Sequence, residues 1–225
     1  MDEGLGLRVR DLQVTGGAGR VLISVPRFEM PAGGALGVRG PSGAGKSTFL
    51  FALAGLVERA RGSVTWGDHD MISLSPGRRA AFRARHMGIV FQDFLLFEEL
   101  DAARNADLSA LFRPKGERAG LRQRAEDLLG ALGLGKAEQR RVSTLSGGER
   151  QRVAVARALA GGGAILLADE PTANLDRAAA DRLIDDLVAR VRRDGTTLVT
   201  ISHDERLLDR MDRVIAIQDG KLEAA

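Results

Sequence analysis

One glycine-rich octapeptide narrows the architecture of this chain more than any other feature. Gly40-Pro41-Ser42-Gly43-Ala44-Gly45-Lys46-Ser47 fits the pattern G-x-x-x-x-G-K-[ST]. That pattern works as a turn between a strand and a helix, and both flanks are present. Ala35 to Val38 reads as a short buried strand, and Ser47 to Val57 as an apolar helix. Consecutive backbone N–H groups can wrap a dense anion such as a triphosphate if no side chain intervenes. Gly43 and Gly45 permit that approach, and the helix presents its N-terminal dipole to the phosphates. The expected phosphate-binding set is Gly40, Ser42, Gly43, Ala44, Gly45, Lys46, Ser47 and Thr48. Within it, Lys46 is placed to contact the β- and γ-phosphates and Ser47 offers a hydroxyl to Mg²⁺.

The rest of the chain supplies a sheet for such a loop. Residues 6–14 and 21–29 alternate apolar and polar positions, and Gly16-Gly17-Ala18-Gly19 separates them as a turn. Val64 to Trp66 leads into a turn at Gly67-Asp68, and Gly88 to Phe91 is a strand ending at Gln92. Residues 93–160 change character: they carry helical patterns, with Leu128, Leu129 and Leu132 on one face, and no strand. Alternation then resumes as strand 164–168, helix 177–193, strand 197–201, helix 204–210 and strand 213–217. Strands alternating with helices predict a parallel sheet covered on both faces. The expected fold is therefore α/β, one domain over residues 1–225. A parallel-sheet core carries the glycine loop, residues 1–39 and about 62–67 form a small antiparallel sheet, and about 93–160 form a helical insert.

Composition excludes several classes. At 225 residues the chain can bury a substantial core, and no apolar run approaches the ~20 residues of a membrane helix. Met1-Asp2-Glu3-Gly4 is acidic with no apolar stretch after it, so a secretory signal is not expected. The absence of cysteine rules out disulfides, cysteine-based zinc sites and thiol catalysis. A sequence pI near 9.9 invites a nucleic-acid reading, but the net charge is only +3 and the basic residues are spread along helices such as Arg118 to Arg124. Tyrosine is absent and aromatics make up only 4%, leaving few platforms for stacked bases. No nucleic-acid partner is expected.

Two further segments carry chemistry. Ala164 to Glu170 is an apolar strand ending in adjacent carboxylates, Asp169 and Glu170, at the strand end where open parallel sheets bind ligands. One carboxylate can hold Mg²⁺ while the other polarises a water for attack on a γ-phosphate. Leu145-Ser146-Gly147-Gly148-Glu149-Arg150-Gln151 opens a helix running through Leu159. Ser146 with Glu149 three residues later has the form of a capping box, and a helix N-terminus is also an anion site.

In this order the three segments resemble the ATP-binding subunit of ABC transporters, and the resemblance covers nearly the whole chain. It implies ATP and Mg²⁺ as cofactors, with Asp169, Ser47 and Gln92 at the metal and Glu170 as general base. It implies a catalytic set of Glu170, His203, Gln92 and Lys46, His203 following the strand Thr197 to Ile201. It further implies a homodimer, or a heterodimer with a similar ATPase, in the ATP state. Ser146, Gly147 and Gly148 would then meet the γ-phosphate of the opposite subunit, and Leu175-Asp176 would lie in the loop by which the subunits sense each other. Integral membrane subunits are the implied partners, which places the protein at the cytoplasmic face of the membrane. The surface beside Phe91, Phe94, Leu95, Leu96 and Phe97 would receive a short helix from them and is expected to be partly exposed. The run Leu167 to Asp176 is similar to one bacterial branch, which includes lipoprotein-releasing transporters, macrolide exporters and a division-associated ATPase.

One departure stands out. The family stacks adenine on an aromatic between the first two strands, yet Val14 to Val21 holds none. The Arg20 guanidinium is the alternative platform, ahead of Trp66. His69 and His86 read as structural. A soluble ABC ATPase acting on nucleic acid is a competing reading, but Lys46 and Ser146 lie only 100 residues apart with no heptads between them. Intact Glu170 and His203 argue against a non-hydrolysing module. An ATPase coupled to a non-transporting membrane partner, as in cell division, stays open.

Overall fold

The computed structural model describes residues 5–223; Met1 to Gly4, which carried the argument against a secretory signal, lie outside them. In chain order the elements are β1 (Leu7–Thr15), β2 (Val21–Met30), β3 (Ala35–Arg39), α1 (Lys46–Leu53), β4 (Ala60–Trp66) and β5 (His69–Asp70). They continue with α2 (Pro76–His86), β6 (Met87–Val90), α3 (Ala102–Ala106), α4 (Lys115–Ala131), α5 (Gly147–Ala160) and β7 (Ile165–Asp169). The chain closes through α6 (Arg177–Asp194), β8 (Thr197–Ile201), α7 (Glu205–Leu208), β9 (Arg213–Gln218) and β10 (Lys221–Glu223).

The ten strands form a single sheet in the order β5-β4-β1-β2-β10-β9-β3-β8-β7-β6. This corrects the expectation of a separate antiparallel sheet containing residues 1–39. β3 lies in the parallel half, bonded to β8 on one side and β9 on the other. The antiparallel half is β1, β2, β4 and β5. β10 closes the gap between the halves, antiparallel to β9 and parallel to β2 through one register pair, Lys221 with Ser24. The Ser24 N–H also donates to the Gly220 carbonyl at 2.6 Å.

Both faces of the parallel half are covered, so its central strands β7 and β8 are buried at every position rather than at alternate ones, with Asp169, Thr197 and Thr200 the polar members. In β7, Ile165 and Leu167 face the cluster around Phe49 and Leu53 of α1, while Leu166 and Ala168 face the cluster holding α4, α5 and α6. Helix α1 ends earlier than the sequence pattern predicts. Gly55 takes φ +63°, the Leu56 N–H donates to the Phe51 carbonyl, and the Gly55 N–H donates to the Ala52 carbonyl. That is a Schellman stop, and it overrides the apolar continuation to Val57.

Between residues 93 and 160 the described elements are helical, with one isolated bridge between Asp101 and Arg141. α4 packs on α5 through Leu121, Ala125, Leu128 and Leu129, all buried. α5 in turn lies on β6 so closely that the Gly88 Cα faces the Ala158 carbonyl. His69, Phe82 and His86 form a ring cluster where β5 meets α2. Among the described residues no helix is long and apolar enough to cross a membrane.

Candidate functional site

The carboxyl ends of β3, β6, β7 and β8 converge on a cleft of about 660 Å³. Ser42, Gly43, Lys46 and Ser47 line it from the loop after β3, Gln92 from the end of β6, Asp169 and Glu170 from β7, and His203 from beyond β8. Thr172, Ala173 and Asp204 also line it, although their sequence context gave them no role. The glycine loop is shaped by close approach. Gly40 has φ +147°, and a Cβ there would lie 2.1 Å from the Ile217 carbonyl oxygen; at Gly45, with φ +101°, a Cβ would lie 2.7 Å from the Leu22 carbonyl oxygen. No L side chain fits either position.

Helix α1 starts at Lys46 with Gly45 as N-cap and no side-chain cap, so its first N–H groups remain available to an anion. The Lys46 ammonium is mostly buried and donates to the carbonyls of Gly40 (2.7 Å) and Pro41 (3.0 Å), bracing the loop from within. Ala44 is buried, and its carbonyl accepts the Gly220 N–H at 3.0 Å. Gly45 and Thr48 open onto a neighbouring cleft that they share with Arg20 and Leu22. Arg20 is thus exposed beside the phosphate loop, whereas Trp66 is fully buried with its indole N–H donating to the Leu53 carbonyl at 2.9 Å. Trp66 is removed as a base platform.

The carboxylates differ in their surroundings. Asp169 is almost fully buried, which pushes its carboxyl above the ordinary range; a hydrogen bond from the Ser47 hydroxyl and the charge of Lys46 oppose this. Burial also raises Glu170, opposed chiefly by His203. The His203 N–H donates to Glu170 Oε2 at 3.3 Å, and its Nε2 lies 3.4 Å from Oε1. Glu170 itself takes φ +49°, an uncommon backbone for a non-glycine residue. Ser47, Gln92 and Asp169 offer a hydroxyl, an amide and a carboxylate. Among the described residues no cluster of three or more His, Cys, Asp or Glu side chains could hold a metal alone. An oxygen set of this kind suits Mg²⁺ completed by phosphate oxygens.

Ser146, Gly147 and Gly148 do not line this cleft. They open α5, where the Ser146 Oγ accepts the Glu149 N–H (3.2 Å) and Glu149 Oε2 accepts the Ser146 N–H (2.8 Å), a complete capping box. The first turn of α5 is exposed at Ser146 and half-buried at Gly147 and Gly148. Beyond Gln92, Leu95 and Phe97 are more than half exposed, while Phe91, Phe94 and Leu96 are half-buried. Phe94 (φ +61°) and Leu95 (φ +47°) both have left-handed backbones. Their carbonyls accept from the Arg157 guanidinium of α5 at 2.5 and 2.6 Å, an interaction that sequence reading missed because the partners are sixty residues apart.

The sequence matches the ABC transporter family model over residues 24–173. It is 42% identical over 220 residues to the lipoprotein-releasing system ATP-binding protein LolD of Novosphingobium aromaticivorans, covering 96% of this chain and 98% of that one. It is 44% identical over 184 residues to the uncharacterized ABC transporter ATP-binding protein YbbA of Escherichia coli, covering 82% of this chain and 80% of that one. The macrolide export ATP-binding/permease protein MacB of a Shewanella species is 37% identical over 198 residues, spanning 88% of this chain but 29% of that longer protein. Among solved structures, a dimeric ATP-binding cassette in a post-hydrolysis state with ADP and phosphate superposes with a TM-score of 0.86 at 30% identity, covering 97% of each chain.

Proposed function

Because the chain belongs to the ABC transporter family, as an ATP-binding cassette with ATPase activity, we propose that it is the motor subunit of a transporter whose pathway lies in separate membrane subunits. Two copies close around two ATP, and hydrolysis reopens them. One observation carries this reading: the first turn of α5 lies outside the cleft that gathers Lys46, Asp169, Glu170 and His203. A single chain therefore holds two unlike halves of a site, and a second copy supplies the missing half to each.

The roles follow from chemistry. The bare N–H groups of the glycine loop and α1 bind phosphate oxygens, and Lys46 adds a charge beside them. Glu170, with its carboxyl raised by burial, accepts a proton from the attacking water, and His203 holds both that carboxylate and the γ-phosphate in place. Ser47, Gln92 and Asp169 would hold Mg²⁺, which would supply positive charge against the phosphates. The helix terminus at Ser146, Gly147 and Gly148 meets the γ-phosphate of the partner copy. The exposed Leu95 and Phe97 beside Gln92 receive the membrane subunit at the cytoplasmic face.

Mixing subunits tests this. Lys46→Ala and Ser146→Arg copies combined in a heterodimer leave at most one composite site intact, and Glu170→Gln copies retain ATP and accumulate as dimers. The reading is overturned if turnover stays strictly linear in protein concentration to high dilution with no ATP-dependent dimer.

A further inference from the structure

We propose that Gln151 is a positioning residue for turnover: it fixes the backbone of Glu170 and ties it to the helix that serves the partner's nucleotide. The inference rests on the reading of Glu170 as general base.

Gln151 lies five residues after Ser146 on α5 and is completely buried. A buried amide needs partners for both its ends. Here Nε2 donates to the Glu170 carbonyl at 3.1 Å, and Oε1 accepts the Asn174 N–H at 3.0 Å. Both partners are backbone groups of the segment that leaves β7, so one side chain fixes that segment at two points four residues apart.

The segment needs fixing. Glu170 holds φ +49°, and a left-handed non-glycine residue persists only where its surroundings over-determine it. Its N–H donates to the Ile201 carbonyl at 3.0 Å, which anchors one side of the residue. The Gln151 amide anchors the other, sharing the Glu170 carbonyl with the Ala173 N–H at 3.3 Å. Without the amide that carbonyl keeps only the longer bond from Ala173, within its own loop, so the peptide relaxes toward an ordinary backbone and the carboxylate swings away from His203. Because a misplacement of about 1 Å can cost roughly a hundredfold in rate, the geometry makes Gln151 a determinant of turnover rather than of nucleotide binding. It also puts the base in mechanical contact with α5. A shift of the α5 N-terminus, which in the closed dimer meets the partner's phosphate, is passed through Gln151 to this copy's own base.

The test compares Gln151→Met, which conserves volume without an amide, with Gln151→Glu, which keeps an acceptor for Asn174 but when ionised cannot donate to Glu170. Steady-state turnover and KM for ATP are measured for both, and ATP-driven dimerisation is measured with each change placed in a Glu170→Gln background. The expected result is a turnover loss of about tenfold or more with KM within about twofold, and dimerisation equal to that of Glu170→Gln alone. Wild-type turnover in both Gln151 variants overturns the proposal. So does a loss of dimer as large as the loss of turnover, which would make Gln151 a brace for the dimer surface. If Gln151→Met fails to give a cooperative melt, Gln151→Glu alone decides. Failure of the underlying reading is seen separately, as wild-type hydrolysis by Glu170→Gln with Gln151 intact.

Discussion

Replacing Gly88 with alanine would drive a wedge between the sheet and the helix that carries Ser146, Gln151 and Arg157. An ideal Cβ at residue 88 lies 2.2 Å from the Ala158 carbonyl oxygen and 2.9 Å from its carbonyl carbon, whereas real Cβ atoms essentially never come within 3.0 Å. The obstruction is helical backbone, which cannot rotate aside as a side chain could. Strand or helix must therefore move by about 1 Å, in a region packed at crystal-like density, and overpacking of this kind costs about 1–3 kcal/mol. For a domain of this length, each kcal/mol lowers Tm by about 2–4 °C, so a fall of about 2–12 °C is expected. Gly120→Ala is the matched control. It sits inside α4, exposed, with nothing within 4 Å of an added Cβ, and should gain about 0.5–1 kcal/mol from helix propensity. Thermal unfolding followed by circular dichroism measures both. A Gly88→Ala protein melting with the wild type would show that α5 is not seated on β6 at that distance.

Glu170→Gln should be more stable than wild type at neutral pH. The folded carboxyl is raised by burial, so the native state binds its proton more tightly than the unfolded chain, and stability falls as pH rises from the ordinary carboxylate range through the raised value. The gain should vanish below the ordinary value of 4.5, and melting curves from pH 4 to 8 showing a constant difference would contradict it. Arg157→Met removes two charge-assisted hydrogen bonds from left-handed Phe94 and Leu95, at a cost of about 2–4 kcal/mol, and should raise amide exchange across residues 94–97; unchanged protection there would count against the clamp. With Trp66 buried and Arg20 beside the phosphate loop, purine discrimination should be weak, and the Michaelis constants for ATP and GTP should fall within about tenfold of each other. A hundredfold preference for ATP would mean that another group recognises the base.

What the sequence made legible was local. The glycine loop between β3 and α1, the carboxylates ending β7 and the capping box of α5 each announce themselves within ten residues, because caps, turns and buried strands are local physics. Helix α2 was invisible to periodicity because Phe82 is its only buried residue, although Ser75-Pro76 had the form of a start signal. β10 has only three residues and gains its place from neighbours in β2 and β9. β3 was grouped with the wrong half because its partners, β8 and β9, come more than 150 residues later. Gln151 stood inside a recognised string, yet its two hydrogen bonds cross to the loop after β7, and nothing in α5 alone reveals them. A polar side chain on the apolar face of that helix was the one available clue.

The narrow place in the sheet has a consequence for stiffness. All four antiparallel strands join the parallel half along the line where β10 meets β2, and that line holds a single register pair and the Ser24–Gly220 bond. A long ladder resists shear along its whole length, whereas a line so thinly stitched is where the sheet has most compliance. Arg20 lies on one bank of this line, Lys46 on the other, and the cleft they share runs over Gly220 itself. A rigid molecule gripped by both banks acts as a splint. The stiffness of the sheet then becomes a function of what the cleft contains, readable as slower amide exchange at Ser24 when ATP is bound.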